Sequence, residues 1–182
     1  MDTKKRPIII DTDPGIDDAV ALAIALNHPN LEVRLITTVA GNVDVEKTTN
    51  NALKLVDFFG KKVPVAKGCN CPLLIQLEDS AEIHGETGMD GFEFPQPIST
   101  CLDIHAVEAM RKEILSSDVP LTIVPIAALT NIALLLTLYP EIKENIAEIV
   151  MMGGSLARGN TNTSAEFNTY VDPQAAQIVF QS

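Results

Sequence analysis

The sequence is poor in cysteine, and this excludes a disulfide-built domain. Its three cysteines, Cys69, Cys71 and Cys101, are an odd number in a chain whose sequence shows no export signal. The C-x-C spacing at 69–71 is not typical of zinc sites. Reduced thiols are therefore a better interpretation than a zinc centre made of the three cysteines and a histidine.

Positive charge is also scarce, and this excludes polyanionic partners. Lys and Arg number 13 against 24 Asp and Glu, which gives a net charge of −11 and a pI of about 4.6. A surface this acidic repels phosphate backbones, so we expect no nucleic-acid polymer as a partner. Small neutral or cationic ligands and metal ions remain compatible with it.

No apolar run approaches the roughly 20 residues that span a bilayer. The longest such runs cover residues 19–26 and 132–136. Lys4, Lys5 and Arg6 are followed by only three isoleucines before the first aspartates, too few for the apolar part of a signal peptide. We therefore expect a cytoplasmic protein that has no membrane partner.

Alternating strand and helix patterns fill most of the chain. With 182 residues, 46% of them hydrophobic, residues 1–182 are expected to form one domain. The predicted strands are 7–10, 31–40, 63–66, 121–127 and 149–154. The predicted helices are 17–29, 45–60, 103–117 with Asp103 as its cap, 130–140, 141–148, and 172–181 with Asp172 as its cap. This order indicates an α/β fold, with a mostly parallel central sheet and helices on both faces.

Polar clusters come after the predicted strands, where parallel sheets bind their ligands. Beyond the aspartates that end the first strand, they lie at 41–44, 67–70, 128–131 and 153–160. A long stretch, 67–102, is too long for a plain connector, so we expect a loop region near the site that is functional or mobile. The sequence thus predicts a site at the carboxyl edge of the sheet.

Four aspartates, Asp11, Asp13, Asp17 and Asp18, lie within eight residues at the end of the first strand. Like charges this close repel, and burying them is unfavourable without compensation. Caps and turns in water account for part of the cluster, since a helix N-terminus favours negative charge. A hard divalent cation, Ca²⁺ or Mg²⁺, accounts better for all four. The spacing is not that of an EF-hand, because Gly15 stands where a ligand is expected.

A D-x-D pair after a buried strand also occurs in haloacid dehalogenase-like phosphatases. In such an enzyme Asp11 would be the nucleophile and Asp13 the acid/base. That family has Thr or Val and then an apolar residue after the second aspartate, whereas Pro14 and Gly15 come next here. This alternative is therefore disfavoured.

The segment DTDPGIDDAVAL (11–22) closely resembles the N-terminal signature of the nucleoside hydrolase family. The resemblance continues in order through TTVAGNVDVEKTTNNAL (37–53), HGETGMDG (84–91), PIAALTNIALLL (125–136), VMMGGS (150–155) and AEFNTYVDPQAA (165–176). Among subgroups the chain most resembles the broad-specificity bacterial ribonucleoside hydrolases. This implies a Rossmann-like nucleoside hydrolase fold, Ca²⁺ as cofactor, and hydrolysis of ribonucleosides to ribose and free base.

The resemblance also implies a metal site and a general base. Asp13 would take a proton from a Ca²⁺-bound water. Asp13, Asp18 and the main-chain carbonyl of Ile126 would be ligands of the Ca²⁺. Asp11 would stand behind them and orient the loop.

Further residues would bind the substrate by the same resemblance. Asp17 and Asn168 would hold ribose hydroxyls. Asn160 and Glu166 would hold the 5′ end of the sugar, with Met152 packed against it. The spacing of two between Glu166 and Asn168 would point both side chains the same way in an extended segment.

Two polar residues allow two interpretations each. Asn42 would lie close to the ribose, or it caps a helix entry together with Asp44. His84 would belong to a lid over the base, or it is a surface histidine. Thr130 and Asn131 are interpreted as structural support at a helix N-terminus.

The chain departs from the family in length, because members are much longer. Their C-terminal part supplies a further aspartate to the Ca²⁺ and commonly a histidine near the leaving base. After Asn168 this chain has no histidine, and its one aspartate, Asp172, is the predicted helix cap. We therefore expect a C-terminally truncated family fold. An inactive remnant that binds Ca²⁺ or sugar is the alternative to an active hydrolase. The expected partners are inosine, uridine, cytidine, adenosine and xanthosine, and a homo-oligomer is expected.

Overall fold

The computed structural model describes residues 5–182, so Lys4 of the basic N-terminal segment lies outside the described residues. Five strands of this part form one parallel sheet in the order β3-β2-β1-β4-β5. They are β1 (Arg6–Thr12), β2 (Leu31–Thr38), β3 (Val65–Lys67), β4 (Leu121–Pro125) and β5 (Ile146–Ile149). The predicted parallel sheet is confirmed.

Helices cover both faces of the sheet, as the alternation of side chains along β1 shows. Ile9 packs in one apolar cluster, while Ile8 and Ile10 pack in another on the opposite face. The helices are α1 (Ile16–Asn27), α2 (Val45–Phe58), α3 (Ala81–His84), α4 (Ala106–Ser116), α5 (Thr130–Leu138), α6 (Phe167–Val171) and α7 (Pro173–Phe180). Residues of α1 and α2 pack with Ile8 and Ile10, and residues of α4, α5 and α7 pack with Ile9.

The predicted helix 141–148 is wrong. The structure has a 3₁₀ helix at Pro140–Asn145 and then β5. The predicted strand 149–154 is wrong beyond Ile149. Val150 and Met152 still donate backbone hydrogen bonds to β4 neighbours, to Ile123 and Pro125, but the chain then turns through glycines. Pairing with β4, rather than the local sequence pattern, thus decides which of these residues form a strand.

The fourth helix begins later than predicted, at Ala106 rather than near Asp103. Its cap is His105, whose Nδ1 accepts a hydrogen bond from the Val107 amide at 3.3 Å. The predicted cap Asp172 is confirmed, because its Oδ1 accepts from the Ala175 amide at 3.0 Å. Both caps satisfy an amide that the first helical turn leaves without a partner.

The topology brings distant segments to one edge of the sheet. β1 lies between β2 and β4, and Asp11 of β1 stands opposite Thr37 on one side and Pro125 on the other. The loops that leave β1, β2 and β4 therefore meet at the carboxyl ends of these strands. Among residues 5–182, no helix is both long and apolar enough to cross a membrane.

The region 67–102 contains α3 and is otherwise largely irregular. Hydrogen bonds tie it to the body of the chain at intervals. The Leu73 amide donates to Asp172 Oδ2 at 2.9 Å, and the Ser80 amide donates to the Asn42 carbonyl at 3.0 Å. Further along, Asn51 Nδ2 donates to the carbonyl of Thr87 at 2.8 Å.

Candidate active site

A cavity of about 280 Å³ lies beyond the carboxyl ends of β1 and β4. Ten residues singled out from the sequence line it: Asp13, Asp17, Asp18, Asn42, His84, Ile126, Met152, Asn160, Glu166 and Asn168. They come from segments more than 150 residues apart in the chain. The sheet topology thus brings together polar side chains that are distant in the sequence, as expected for one shared site.

Asp13 is the most deeply buried carboxylate of this cavity, with 1% of its surface exposed. Its Oδ2 accepts a hydrogen bond from the Asn42 amide at 2.7 Å. Its Oδ1 has no hydrogen-bond partner within the described residues. Burial, and next the neighbouring Asp18 carboxylate, raise the pKa of Asp13 well above its usual range. The unpartnered oxygen therefore has a high affinity for a proton, and it is available to bind a cation.

Asp18 shares this environment but is better supported by donors. Its Oδ1 accepts from the Thr12 hydroxyl at 2.7 Å. Its Oδ2 accepts from the Gly15 amide at 3.1 Å and from Asn42 Nδ2 at 3.2 Å. Burial still raises the pKa of Asp18 to about 6. Two buried carboxylates with raised proton affinity are together best stabilised by a positive charge between them.

The donor set of this cavity suits a hard cation such as Ca²⁺. Asp13, Asp18 and the Ile126 residue offer carboxylate and carbonyl oxygens, and Asp13 Oδ1 is an orphan buried atom. No three Asp, Glu, His or Cys side chains within residues 5–182 are arranged to hold a metal ion. Since Ca²⁺ takes about six to eight oxygens, these residues would form only part of its shell.

Asp11 does not line the cavity and is fully buried behind it. Its Oδ1 accepts from the Thr37 hydroxyl at 2.5 Å and from Asn131 Nδ2 at 2.8 Å. Burial raises the pKa of Asp11 to about 7. Asn131 also donates to the Thr38 carbonyl at 3.0 Å and accepts from the Cys69 amide at 3.0 Å. It thereby joins the ends of β1, β2 and β3, which agrees with its interpretation as structural support.

The opposite wall is built around the start of α6. Glu166 is the cap of this helix, and its Oε1 accepts from the Asn168 amide at 3.0 Å. Its Oε2 accepts from the Gly154 amide at 3.0 Å. The prediction that Glu166 and Asn168 share an extended segment is wrong, because Asn168 is already helical. Both side chains nevertheless reach the cavity, since a cap and the second helical residue face the same side here.

Asn168 and Asn160 are oriented by main-chain groups. Asn168 Nδ2 donates to the carbonyls of Ile126 at 3.1 Å and Met152 at 3.2 Å. Its amide oxygen is therefore the group that can meet a sugar hydroxyl. Asn160 Oδ1 accepts from the Phe167 amide at 2.8 Å, which leaves its NH₂ as the donor. Met152 is half-exposed beside them.

A protein-family model described as "Inosine-uridine preferring nucleoside hydrolase" matches residues 8–182 of the sequence. The chain belongs to the nucleoside hydrolase family. This nucleoside hydrolase chain is 53% identical over 178 residues to the non-specific ribonucleoside hydrolase RihC of Klebsiella pneumoniae (strain 342). The match covers 98% of the chain and 59% of that relative, so the chain spans about 59% of its length.

Solved structures agree with the family assignment. The purine-preferring ribonucleoside hydrolase from Gardnerella vaginalis superimposes with a TM-score of 0.91 and 37% identity, over 96% of this chain and 57% of that one. An inosine-uridine preferring nucleoside hydrolase from Bacillus anthracis gives a TM-score of 0.81 at 22% identity, over 97% of this chain and 62% of that one, and shows the fold alone. The predicted family and fold are confirmed.

In this nucleoside hydrolase chain, His84 is not a plain surface histidine. It ends α3, lines the cavity, and its Nδ1 accepts a hydrogen bond from the Ile16 amide at 3.2 Å. Asn42 is not the cap of α2, because Asp44 accepts from the Lys47 amide at 3.0 Å and caps that helix. Asn42 instead contacts the carboxylates.

Sequence reasoning missed four residues of the cavity wall: Ser80, Ile83, Thr161 and Phe167. Phe167 stands between two predicted residues, so its place could have been inferred. Ser80 and Ile83 lie at the start of and within α3, a helix of one turn in the region 67–102 that is too short to show a periodic pattern. The cysteines lie outside the cavity and are free, with Cys69 Sγ 4.0 Å from His105 Nε2.

Proposed function

We propose that this chain hydrolyses the N-glycosidic bond of ribonucleosides to ribose and free base, with Asp13 as general base and Ca²⁺ as cofactor. The observation that carries the proposal is the buried Asp13 carboxylate at the cavity wall, whose Oδ1 has no hydrogen-bond partner within the described residues. A carboxylate with a raised pKa accepts a proton from water more readily than an ordinary one.

The charge of the cavity matches the reaction. Breaking an N-glycosidic bond builds positive charge on the sugar ring, as in other glycoside hydrolyses. Asp13, Asp17, Asp18 and Glu166 all line the cavity, and their carboxylates would stabilise that charge as it develops. These carboxylates would thereby stabilise the positively charged transition state more than the neutral substrate.

The sugar would be held by the groups around the cavity rim. Asp17 and the amide oxygen of Asn168 would accept hydrogen bonds from ribose hydroxyls. Asn160 and Glu166 would hold the 5′ end, with Met152 against the sugar. His84, at the end of α3 in the cavity wall, would meet the base.

Asp13, Asp18 and the Ile126 carbonyl would hold the Ca²⁺. When bound, the ion would supply a positive charge that lowers the pKa of a water and coordinates two hydroxyls of the ribose. A cation held there would also favour the ionised forms of Asp13 and Asp18, whose pKa values burial raises. In its ionised form the Asp13 carboxylate would accept a proton from that water.

Inosine, uridine, cytidine, adenosine and xanthosine are the proposed substrates. Relatives of this chain bear the names non-specific ribonucleoside hydrolase and purine-preferring ribonucleoside hydrolase. These names support ribonucleosides as the class of substrate. Homo-oligomeric assembly and a cytoplasmic location stay predictions.

The test is ribose release from inosine and uridine by the 182-residue chain, measured as reducing sugar with Ca²⁺ and with a chelator. We expect release that the chelator abolishes and that Asp13→Asn lowers by at least a thousandfold, on the order of the loss of a general base together with a metal ligand. Asp118→Asn is the matched control, because Asp118 is exposed and precedes β4 at the opposite edge of the sheet. Release that survives in Asp13→Asn would refute the role of this carboxylate.

A further inference from the structure

Asn42 uses its hydrogen-bonding groups on the protein rather than on a ligand. Its backbone amide donates to Asp13 Oδ2 at 2.7 Å. Its side-chain Nδ2 donates to the Asp13 carbonyl at 3.0 Å and to Asp18 Oδ2 at 3.2 Å. Both N–H groups of the amide are thus engaged by the two aspartates. Asn42 thus contacts both aspartates, and its backbone N–H and its Nδ2 each donate to one of their carboxylates.

Ser80 completes this arrangement from the other side. Its hydroxyl donates to Asn42 Oδ1 at 2.9 Å, and its backbone amide donates to the Asn42 carbonyl at 3.0 Å. Ser80 and Asn42 are both buried, 8% and 6% exposed. A donor on Oδ1 fixes which end of the side-chain amide faces the Asp13 carbonyl and the Asp18 carboxylate, because a flipped amide would set its oxygen against both.

Ser80 is also the residue that precedes α3 and caps its N-terminus. Its carbonyl accepts from the amides of Ile83 at 2.9 Å and His84 at 3.1 Å. Both of these residues line the cavity. Ser80 therefore joins α3, which bears two residues of the cavity wall, to Asn42, which contacts both aspartates.

We propose that Ser80 is a positioning residue of this site, which orients Asp13 and Asp18 through Asn42 and ties to them the helix α3 that bears Ile83 and His84. The inference rests on the proposed function for its kinetic consequence. Its structural content, the orientation of Asn42, stands apart from that function.

The variants are Ser80→Ala, which removes the hydroxyl, and Ser80→Thr, which keeps it. Ser99→Ala is the matched control. The Ser99 hydroxyl also belongs to the region 67–102 and donates to a carboxylate, that of Asp57 at 2.5 Å, but neither residue lines the cavity. A general loosening of this region would affect both alanine variants alike.

We expect Ser80→Ala to lower kcat for inosine about tenfold with KM changed less than twofold, the size of one neutral hydrogen bond. Calorimetric titration without substrate should show Ca²⁺ binding weakened several-fold, because a ligand pair has lost its support. Ser80→Thr should recover most of both losses, and Ser99→Ala should match the unaltered chain. Unchanged kcat and Ca²⁺ affinity in Ser80→Ala would overturn the proposal.

Amide hydrogen exchange of Asn42 separates this inference from the proposed function. The Asn42 N–H is buried against Asp13 and should exchange at least tenfold faster in Ser80→Ala than in Ser99→Ala. If the unaltered chain released no ribose, the proposed function would fail while faster exchange would still support the orienting role. Equal exchange in the two variants would overturn that role whether or not the chain is active.

Discussion

Gly41 offers a sharp test of Asp13, because an alanine there would press on the carboxylate without removing any polar group. A Cβ built on Gly41 would lie 2.1 Å from Asp13 Oδ2 and 2.9 Å from its Cγ. The φ of Gly41 is not positive, so alanine fits the backbone itself. The perturbation is therefore confined to the side chain that we propose as the base.

The required movement sets the size of the effect. Oδ2 must retreat from 2.1 Å to at least 3.0 Å, a shift of about 0.9 Å, and its hydrogen bond to the Asn42 amide must stretch with it. A displacement of about 1 Å in a reacting group reduces rate about a hundredfold, or about 2.7 kcal/mol of transition-state stabilisation. We expect Gly41→Ala to lower kcat/KM for inosine by that factor.

The assay is a double-mutant cycle of Gly41→Ala with Asp13→Asn, measured by ribose release. If the alanine acts through Asp13, it should cost far less in the Asp13→Asn background than in the unaltered chain. Thermal unfolding of each variant separates misplacement from loss of fold. A Gly41→Ala chain that keeps its rate within threefold, or a cycle that is fully additive, would refute the reasoning.

The contacts predict three further outcomes. Asp172→Ala should lower the free energy of unfolding in urea by about 3 kcal/mol, because this buried carboxylate accepts from Leu73, Thr130 and Ala175, and Asp172→Asn should lower it less. In chelator, the free energy of unfolding should fall by a few kcal/mol between pH 4 and pH 8 and fall less in Asp11→Asn. The folded pKa of about 7 lies above the unfolded value, so Asp11 favours folding at low pH and loses that contribution as pH rises; a flat profile would contradict this. Glu166→Gln should raise KM for inosine about tenfold and lower the free energy of unfolding by about 1 kcal/mol, because one acceptor oxygen of the helix cap is lost; an unchanged KM would contradict its place at the sugar.

Local pattern sufficed for the part of the site that lies in one short segment. Crowding predicts that Asp11, Asp13, Asp17 and Asp18 need compensation as one cluster, and the family resemblance singles out Asp13 and Asp18, which the structure buries at one cavity. The convergence of the strand ends could also be predicted from the sequence, since parallel strands present their carboxyl ends at one edge. Asn168 was placed at the cavity even though its backbone conformation was predicted wrongly.

Other features depend on contacts that local pattern does not encode. Residues 141–148 have a polar and apolar spacing that favours a helix, yet Ile146–Ile149 pair with β4 as an edge strand. Ser80 reaches Asn42 across 38 positions of the chain, through a region without periodicity. The cap of α4 is His105 and not the predicted Asp103, because tertiary packing of that turn decides which side chain meets the Val107 amide.

The place of β1 in the middle of the sheet determines when the carboxylate cluster can assemble during synthesis on the ribosome. Asp11 finds Thr37 soon after it is made, but its second partner, Asn131, lies 120 residues further along. At translation rates of about 5–20 residues per second, that interval is on the order of ten seconds. Until β4 has been synthesised, β1 has only β2 available as a neighbour, so the aspartates at its end cannot be enclosed from that side.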